Sequence, residues 1–378
     1  MNINEFKAGI YREGYKYQYF LPEQINHEFI LSDSRTQELL ERASLKLGEL
    51  NSFARLVPDI DMFITSYVMK EAVTSSRIEG TRTNIEEAFS DEADIRPEKK
   101  DDWNEVIQYV KAMNFALDQL KTVPLSNRLI KEAHKILLSH VRGESKGPGE
   151  FRESQNWIGG STINDATFIP PSHEHVQGLM SDIELFIHNE NIWVPHLIKV
   201  GIIHYQFETV HPFLDGNGRI GRMLITLYLV SKKILDKPLL YSSDFFEKNR
   251  TQYIDKLMYT REKNDLLGWI QFFLTAIEST SEKAVNCLQE IISLKDKLLT
   301  EKISTLGKKT NNAQKLLMTL FSSPVIDVKS VGAELNITPR AANGIVKDFV
   351  ELGILREVTG QRRNRLFVFD EYLKMLER

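Results

Sequence analysis

Apolar residues recur at three- and four-residue intervals along most of this chain, and that spacing constrains its fold more than any other feature. Residues 33–50 carry Leu39, Leu40, Ala43, Leu47 and Leu50. Residues 62–74 continue with Ile64, Val68 and Ala72, and residues 102–120 with Trp103, Val106, Val110, Met113 and Leu117. Residues 129–138, 176–187, 197–207 and 266–280 repeat the pattern. Such segments present one apolar face and pack as amphipathic helices, so the fold class is mainly α. Strand-like material is scarce before residue 320. The exception is residues 149–171, where Gly147, Pro148, Gly159 and Gly160 interrupt short β-prone pieces around Trp157 and Phe168. That stretch predicts a β-hairpin or extended loop lying over a helical body.

Length and composition narrow the options. The 378 residues suggest two or three units at roughly 150 residues each. A 42% hydrophobic share supplies a core and excludes disorder as the dominant state, and a lone Cys287 excludes a disulfide framework within the chain. The formal net charge of −4 argues against a surface that coats nucleic acid everywhere. Residues 1–20 are polar and charged throughout, unlike a signal peptide. The longest apolar runs, such as residues 223–230, fall far short of the ~20 that span a bilayer. A reducing, cytoplasmic setting without membrane partners is expected.

The pattern changes near residue 300. Residues 282–302 read as a long, polar-faced connecting helix, and residues 307–312 as a polar break. Helices follow over 313–321, 328–335 and 340–352, then extended pieces at 354–358 and 366–369 around a turn at Gly360. Thr338 and Pro339 make an oxygen-bearing N-cap followed by proline at the first helical position. Three helices followed by a β-hairpin give the order of a winged helix-turn-helix. The expected organisation is an N-terminal helical region over 1–100, a helical core over 101–280, a connecting helix and linker over 281–312, and a winged helix over 313–378.

The most informative stretch is His211-Pro-Phe-Leu-Asp215-Gly216-Asn217-Gly218-Arg219-Ile-Gly-Arg222. Pro212 biases His211 towards an extended conformation, so no helix should run through it. Gly216, Asn217 and Gly218 tolerate positive φ and let backbone N–H groups converge at the start of the apolar helix that follows. Those N–H groups and the helix dipole make an anion site suited to phosphate. Arg219 and Arg222, three apart, add always-charged planar forks. Asp215 is a hard oxygen ligand of the kind Mg²⁺ takes beside a polyphosphate. His211 is the group that takes a proton near neutral pH. Asp-Gly-Asn-Gly alone is a common turn, but a base, a metal ligand, an anion nest and two arginines within twelve positions are more than a turn needs. No Gly-Lys-Ser/Thr follows, so this is not a Walker A loop, and His173-Glu174-His175 lacks the spacing of a metalloprotease helix.

The stretch resembles the Fic family signature HxFxDGNGRxxR, matching it at His211, Phe213, Asp215, Gly216, Asn217, Gly218, Arg219 and Arg222. Gly149-Glu-Phe-Arg152, Trp157-Ile158-Gly159-Gly160 and Ile169-Pro-Pro171 resemble the family's flap and the segment before it. Ser75-Ser-Arg-Ile-Glu79-Gly80 resembles the [S/T]xxxE[G/N] inhibitory motif that some members carry on an N-terminal helix. Asn249-Arg-Thr-Gln-Tyr253 resembles a nucleotide-proximal segment, with Ile254 where a second tyrosine often stands.

The resemblance implies transfer of AMP from ATP to a Ser, Thr or Tyr hydroxyl of a protein, the chain itself included, with release of pyrophosphate. It assigns His211 as the base, Asp215 to Mg²⁺, and the Asn217/Gly218 backbone with Arg219 to the phosphates. Arg222 is assigned to the γ-phosphate, Tyr253 to the nucleotide site, and Ile158, Gly159 and Gly160 to a flap that holds the target by strand addition. The kinase-like Doc variant lacks the second glycine and second arginine; Gly218 and Arg222 are present here and favour AMP transfer. Ser75 and Glu79, four apart, share a helix face, and Glu79 is expected to pair with Arg222 and displace the γ-phosphate. The inhibitory helix acts within the chain or across a homodimer, and its place before the core favours the first.

A second function class rests on the C-terminal unit. Arg340, Asn343 and Lys347 are spaced for one helix face, and Arg362, Arg363 and Arg365 fall in the wing, as a DNA-binding regulator requires. Asp348 and Glu351 on the same helix count against it, and a protein-interaction or dimer role for the winged helix stands equally open. His204 and His196 read as a core histidine and a helix-start residue, and Tyr241, Phe245 and Phe246 as core.

Overall fold

The computed structural model describes residues 1–57, 60–360 and 365–377. Among the described residues, fifteen α-helices run in chain order: α1 Ser34–Leu56, α2 Ile60–Ile78, α3 Ile85–Ala88, α4 Lys100–Gln119, α5 Asn127–Leu137, α6 His173–His188, α7 His196–Val210, α8 Asn217–Ser231, α9 Ser243–Lys248, α10 Arg250–Lys263, α11 Leu266–Lys297, α12 Thr310–Ser322, α13 Val328–Glu334, α14 Pro339–Glu351 and α15 Asp370–Glu377. The strands are β1 Gly9–Glu13, β2 Gln18–Pro22, β3 Val325–Asp327, β4 Arg356–Glu357 and β5 Leu366–Val368. The chain is mainly helical, as the apolar spacing predicts. No helix of the described residues is long and apolar enough to cross a membrane.

At the centre lies α7, whose side chains are buried on every face from Leu197 to Val210. That is why its sequence is apolar nearly all round: a helix with no solvent face needs no polar stripe. Helices α6, α8 and α11 pack around it, and Trp269 of α11 donates to the Gly201 carbonyl at 2.8 Å. A Cβ at Gly201 would press on Ile270 and Phe273, so the glycine lets α11 approach. Helix α11 lies along α1. It is one continuous helix through the position where two helices are expected from the sequence. Its second half turns a polar face to solvent and buries Ala284, Val285, Leu288, Ile291 and Leu294 on the other. Polar side chains between them face solvent and mask that stripe in the sequence.

Two further differences concern β structure. An antiparallel β1–β2 hairpin, pairing Gly9 with Pro22 through Glu13 with Gln18, opens the chain where the sequence reads only as polar. Its second strand reaches the loop over the body, with the Phe20 N–H donating to the Ile169 carbonyl at 2.9 Å. In residues 149–171, by contrast, strand pairing is a single antiparallel bridge, Ile158 with Phe168.

The C-terminal unit forms the expected helix-turn-helix with a three-stranded sheet in the order β3-β5-β4. Thr338 caps α14 by accepting from the Ala341 N–H, with Pro339 in the first turn. Arg362 and Arg363 lie outside the described residues. The unit packs directly on α2: Ser66 Oγ donates to the Phe321 carbonyl at 2.9 Å, and the Phe63 and Phe321 rings meet edge-on at 5.5 Å.

Candidate active site

The turn between α7 and α8 carries the site. Helix α7 stops at Val210 because His211 adopts a left-handed conformation, φ 50° and ψ 61°, with its N–H donating back to the Phe207 carbonyl. The helix does break before Pro212, but His211 is left-handed rather than extended. A non-glycine residue there costs on the order of 1–3 kcal/mol and persists only when neighbours enforce it. Those neighbours are Arg152, whose Nε donates to the His211 carbonyl at 3.0 Å, and Asn156, whose Nδ2 donates to it at 3.2 Å. Arg152 also donates to the Ser154, Pro171 and Val210 carbonyls, tying the flap to the turn.

The loop is locked from within. Asn217 Oδ1 accepts from the Phe213 N–H and Asn217 Nδ2 donates to the Phe213 carbonyl, both at 2.8 Å. Of Gly216, Asn217 and Gly218, only Gly216 has positive φ (75°). Asn217 and Gly218 are helical, so the open N–H groups are those of the first turn of α8 rather than of a three-residue nest. His134 completes the support. It stacks on Phe213 at 3.6 Å, contacts the Asp215 carbonyl through Nε2 at 2.9 Å, and accepts from the Gly149 N–H at Nδ1. A carbonyl only accepts and an amide only donates, so these partners fix a neutral imidazole with the proton on Nε2. Burial agrees, pushing His134 down to about 4.

One cleft gathers most of the expected residues: Glu79, Ile158, His211, Asp215, Gly216, Asn217, Gly218, Arg222 and Tyr253 all line it. Arg219 does not. It is 4% exposed, and its Nη1 donates to Glu105 Oε2 at 3.1 Å, with Nη2 3.5 Å from Asp215 Oδ1. Glu105 is held in turn by Arg142. Arg219 therefore orients Asp215 and the loop from behind, and the two arginines of the motif point to different partners despite their spacing.

Arg222 is turned towards α2. Its Nε donates to Ser75 Oγ and its Nη2 to the Ser75 carbonyl, both at 2.9 Å, and Nη2 also reaches Glu79 Oε1 at 2.6 Å. The Glu79 carboxylate rests against Gly218, where any Cβ would collide with Oε1. It thus sits beside the first turn of α8, the electropositive end of that helix. Partial burial would raise the Glu79 carboxyl, but Arg222 outweighs it and holds the group below its ordinary value. Gly80, at φ 108°, ends the segment.

The flap turns at Gly159 and Gly160, both at φ 71°, where a Cβ would collide with Thr167 and Asp165 respectively. Asp165 accepts from the backbone and hydroxyls of Ser161 and Thr162, and these bonds hold its carboxyl well below the usual range. Tyr253 Oη lies 2.8 Å from His204 Nε2, and His204 Nδ1 lies 2.9 Å from the Gly221 carbonyl. His204 is thus a buried core histidine, as expected, and it also seats Tyr253. His196 starts α7.

Among the cleft and support residues that sequence reasoning missed are Glu208, Arg250, Arg261, His134, Asn156 and Glu105. Arg261 spans the site, with Nε on Thr209 Oγ1, Nη2 on the Glu208 carbonyl, and its guanidinium 3.9 Å above the Phe168 ring of the flap. No local motif marks it, since Thr209, Glu208 and Phe168 are all distant from it in sequence.

Comparison with known proteins agrees with this geometry. The Fic/DOC family N-terminal model matches residues 37–118, and the Fic/DOC family model matches residues 124–229, including the loop just described. The chain carries the Fic/DOC family domains. A protein adenylyltransferase Fic of Aedes aegypti is 28% identical over 184 residues, 48% of this chain and 34% of that protein. One of Drosophila erecta is 27% identical over 182 residues, 48% of this chain and 34% of that protein. The Fic/DOC chain described here thus spans about a third of the length of these relatives. A Fic family protein from Desulfovibrio desulfuricans G20 shares the fold with a TM-score of 0.57 and 18% identity, covering 89% of this chain and 96% of that one. A Fic domain protein from Bacteroides thetaiotaomicron VPI-5482 does so with 0.51 and 16%, covering 67% and 96%. Beyond the Fic domain, a model described as an HTH DNA binding domain matches residues 314–367.

Proposed function

We propose that this Fic/DOC protein transfers AMP from ATP to Ser, Thr or Tyr hydroxyls of proteins, itself included, and that Glu79 holds it inactive. The observation that carries the reading is the convergence of His211, Asp215, the first turn of α8 and Arg222 on one cleft. His211 takes the proton of the attacking hydroxyl. The α8 N–H groups and Arg222 stabilise negative charge on the phosphates, where such transfers gain most of their rate. Tyr253 lines the nucleotide end, and the flap at Ile158, Gly159 and Gly160 pins the target backbone.

Asp215 fits Mg²⁺. Its Oδ1 is engaged by the Gly216 N–H at 2.6 Å and by Arg219, while the side chain stays 43% exposed towards the cleft. Among the described residues no cluster of three metal-binding side chains forms. One carboxylate completed by phosphate oxygens and water is the usual manner of holding Mg²⁺ beside a nucleotide. Bound there, the ion would neutralise charge between the α- and β-phosphates.

Glu79 competes for the nitrogen that would grip the γ-phosphate. ATP bound against that pair would seat its α-phosphate off line, and a misplacement of about 1 Å costs on the order of 10²-fold in rate. The test is label transfer from α-labelled ATP by wild type, Glu79→Gly and His211→Ala, each confirmed folded. Glu79→Gly is expected to label itself roughly 10²-fold faster than wild type, and His211→Ala not at all. Equal rates in all three would reject the reading.

The HTH match and the exposed face of α14 support a second role in DNA binding. Several of the expected basic contacts are already engaged: Arg365 with Glu357 at 3.3 Å and with Asn343, and Lys347 with Glu351 at 3.4 Å. A gel shift across a salt series separates the roles, since phosphate contacts give steeply salt-dependent binding. A homodimer that shares the inhibitory helix is not needed to bring Glu79 to Arg222, because the same chain does so.

A further inference from the structure

Glu208 lines the cleft and has no part in the reading above. It stands on the last turn of α7, three residues before His211, and so on the same side of the helix. Its Oε1 is buried with no hydrogen-bond partner, and so is His211 Nδ1. The two side chains face each other, with Oε2 4.0 Å from Nδ1. Space for the carboxyl is made by Gly221 of α8, where any Cβ would collide with Glu208 Oε1. Buried polar atoms are almost always paired, so an unpaired Nδ1 that faces a carboxylate oxygen 4.0 Å away requires a reason.

We propose that Glu208 is a positioning residue for His211, accepting a hydrogen bond from Nδ1–H so that the bare Nε2 faces the incoming hydroxyl. This rests on the AMP-transfer reading. In the reaction the target O–H gives its proton to Nε2, and the freed oxygen lone pair bonds the α-phosphorus. The bond from that phosphorus to the bridging oxygen breaks, and pyrophosphate leaves with the electron pair. The imidazolium so formed carries both ring protons, and an ionised Glu208 stabilises it through Nδ1–H. Catalytic hydrogen bonds are often long before substrate binds, and closing this one needs about 1 Å.

The surrounding charges set the balance. Arg222 of α8 and Arg261 of α10 favour an ionised Glu208, while Glu79, just past the end of α2, opposes it; Tyr253 of α10 faces it as well. Burial still pushes Glu208 up to about 7. His211 is pushed down to about 3, by burial first and then by Arg261. A base held that low takes protons poorly. A hydrogen bond between the two groups moves both back, each charge offsetting the burial of the other.

The experiment uses the full chain with Glu79→Gly as parent, and adds Glu208→Gln and Glu208→Asp. The His211 ring is titrated by NMR, assigned against His211→Ala, and label transfer from α-labelled ATP is followed against pH. In Glu208→Gln, His211 is expected to titrate lower by about one unit or more. The acidic limb of the rate profile should move down with it, and kcat should fall roughly tenfold to a hundredfold with KM for ATP unchanged. Glu208→Asp, which keeps the charge, should recover part of the rate and guards against a glutamine variant that fails to fold. An unmoved His211 titration overturns the proposal, even if the rate drops, because a purely structural role would lower rate alone. If the Glu79→Gly parent moves no label, the AMP-transfer reading falls and takes this role of Glu208 with it, whatever the titration gives.

Discussion

Arg222 and Ser75 are joined twice, side chain to side chain and side chain to backbone, both at 2.9 Å. Glu79 is therefore the third contact of Arg222 with α2 and the turn that ends it, not its sole anchor. A guanidinium so held stays in place when one contact is removed, and the contacts differ in what they block. Ser75 lies behind the arginine, whereas Glu79 lies on its cleft side, against Gly218.

Ser75→Ala and Glu79→Gly should therefore act very differently. Losing the Ser75 hydroxyl removes one charge-assisted bond but leaves the carboxylate across the site, so self-labelling is expected to rise less than about fivefold, against the roughly 10²-fold proposed for Glu79→Gly. Initial rates of label transfer at saturating ATP make the comparison. A Ser75→Ala rate equal to that of Glu79→Gly would show that the hydroxyl, rather than the carboxylate, sets the block.

Asn217 should be a stability residue as well as a loop residue. It is 2% exposed and satisfies both backbone groups of Phe213. In Asn217→Ala the Phe213 N–H loses its partner, and an orphaned buried donor costs about 1–3 kcal/mol. The melting temperature should fall accordingly, and label transfer in the Glu79→Gly background should drop further than the melt alone explains. A variant with the parent Tm would mean that the loop is held by Asn156 and His134 without it.

How much of this was legible in the sequence depends on the reach of each interaction. Asn217, His211 and Asp215 sit in one short loop, and their residue types at those spacings already imply an anion cradle with a base at its rim. Ser75 and Glu79 are readable as a pair because four residues make one helical turn. The partner of Arg219 was not readable, since Glu105 lies 114 residues away on α4. His134 likewise looks like any helix histidine until Phe213 stacks on it. The β1–β2 hairpin was hidden for another reason: β1 is exposed along nearly its whole length, so burial imposes no alternation there, and part of the hairpin's support comes from Ile169 of the flap segment.

The buried His204 predicts a pH dependence of stability. It is 0% exposed, and burial pushes it down to about 3. In the unfolded chain it titrates near its ordinary 6.5, so the unfolded state binds the proton first as pH falls. The stability it contributes is complete above pH 6.5 and is lost from there down towards pH 3, at about 1.4 kcal/mol per unit. Replacing it with Phe removes this dependence along with two hydrogen bonds. The gap in Tm between wild type and His204→Phe should narrow steadily from pH 7 to pH 5. A gap independent of pH would mean that His204 binds its proton as readily in the folded chain as in the unfolded one.

The contact between the winged helix and α2 leads to the last prediction. Phe321 is 0% exposed and lies between Phe63 of α2, Phe369 and Tyr372, while its carbonyl accepts from Ser66 and from Tyr372 Oη. The helix that Glu79 directly follows is thus gripped near its start by the C-terminal unit. From Phe63 to Glu79 is sixteen residues, about 24 Å of helix at 1.5 Å each. A tilt at one end moves the other, and the Arg222–Glu79 pair spans only 2.6 Å. Phe321→Leu keeps an apolar side chain but loses the ring contacts, so the winged helix stays folded while its hold on α2 weakens. Hydrogen exchange along residues 63–79 should quicken, and self-labelling should rise severalfold above wild type. Faster exchange without a gain in labelling would show that α2 is seated by α4 and α9 alone, and that the winged helix has no leverage on the site.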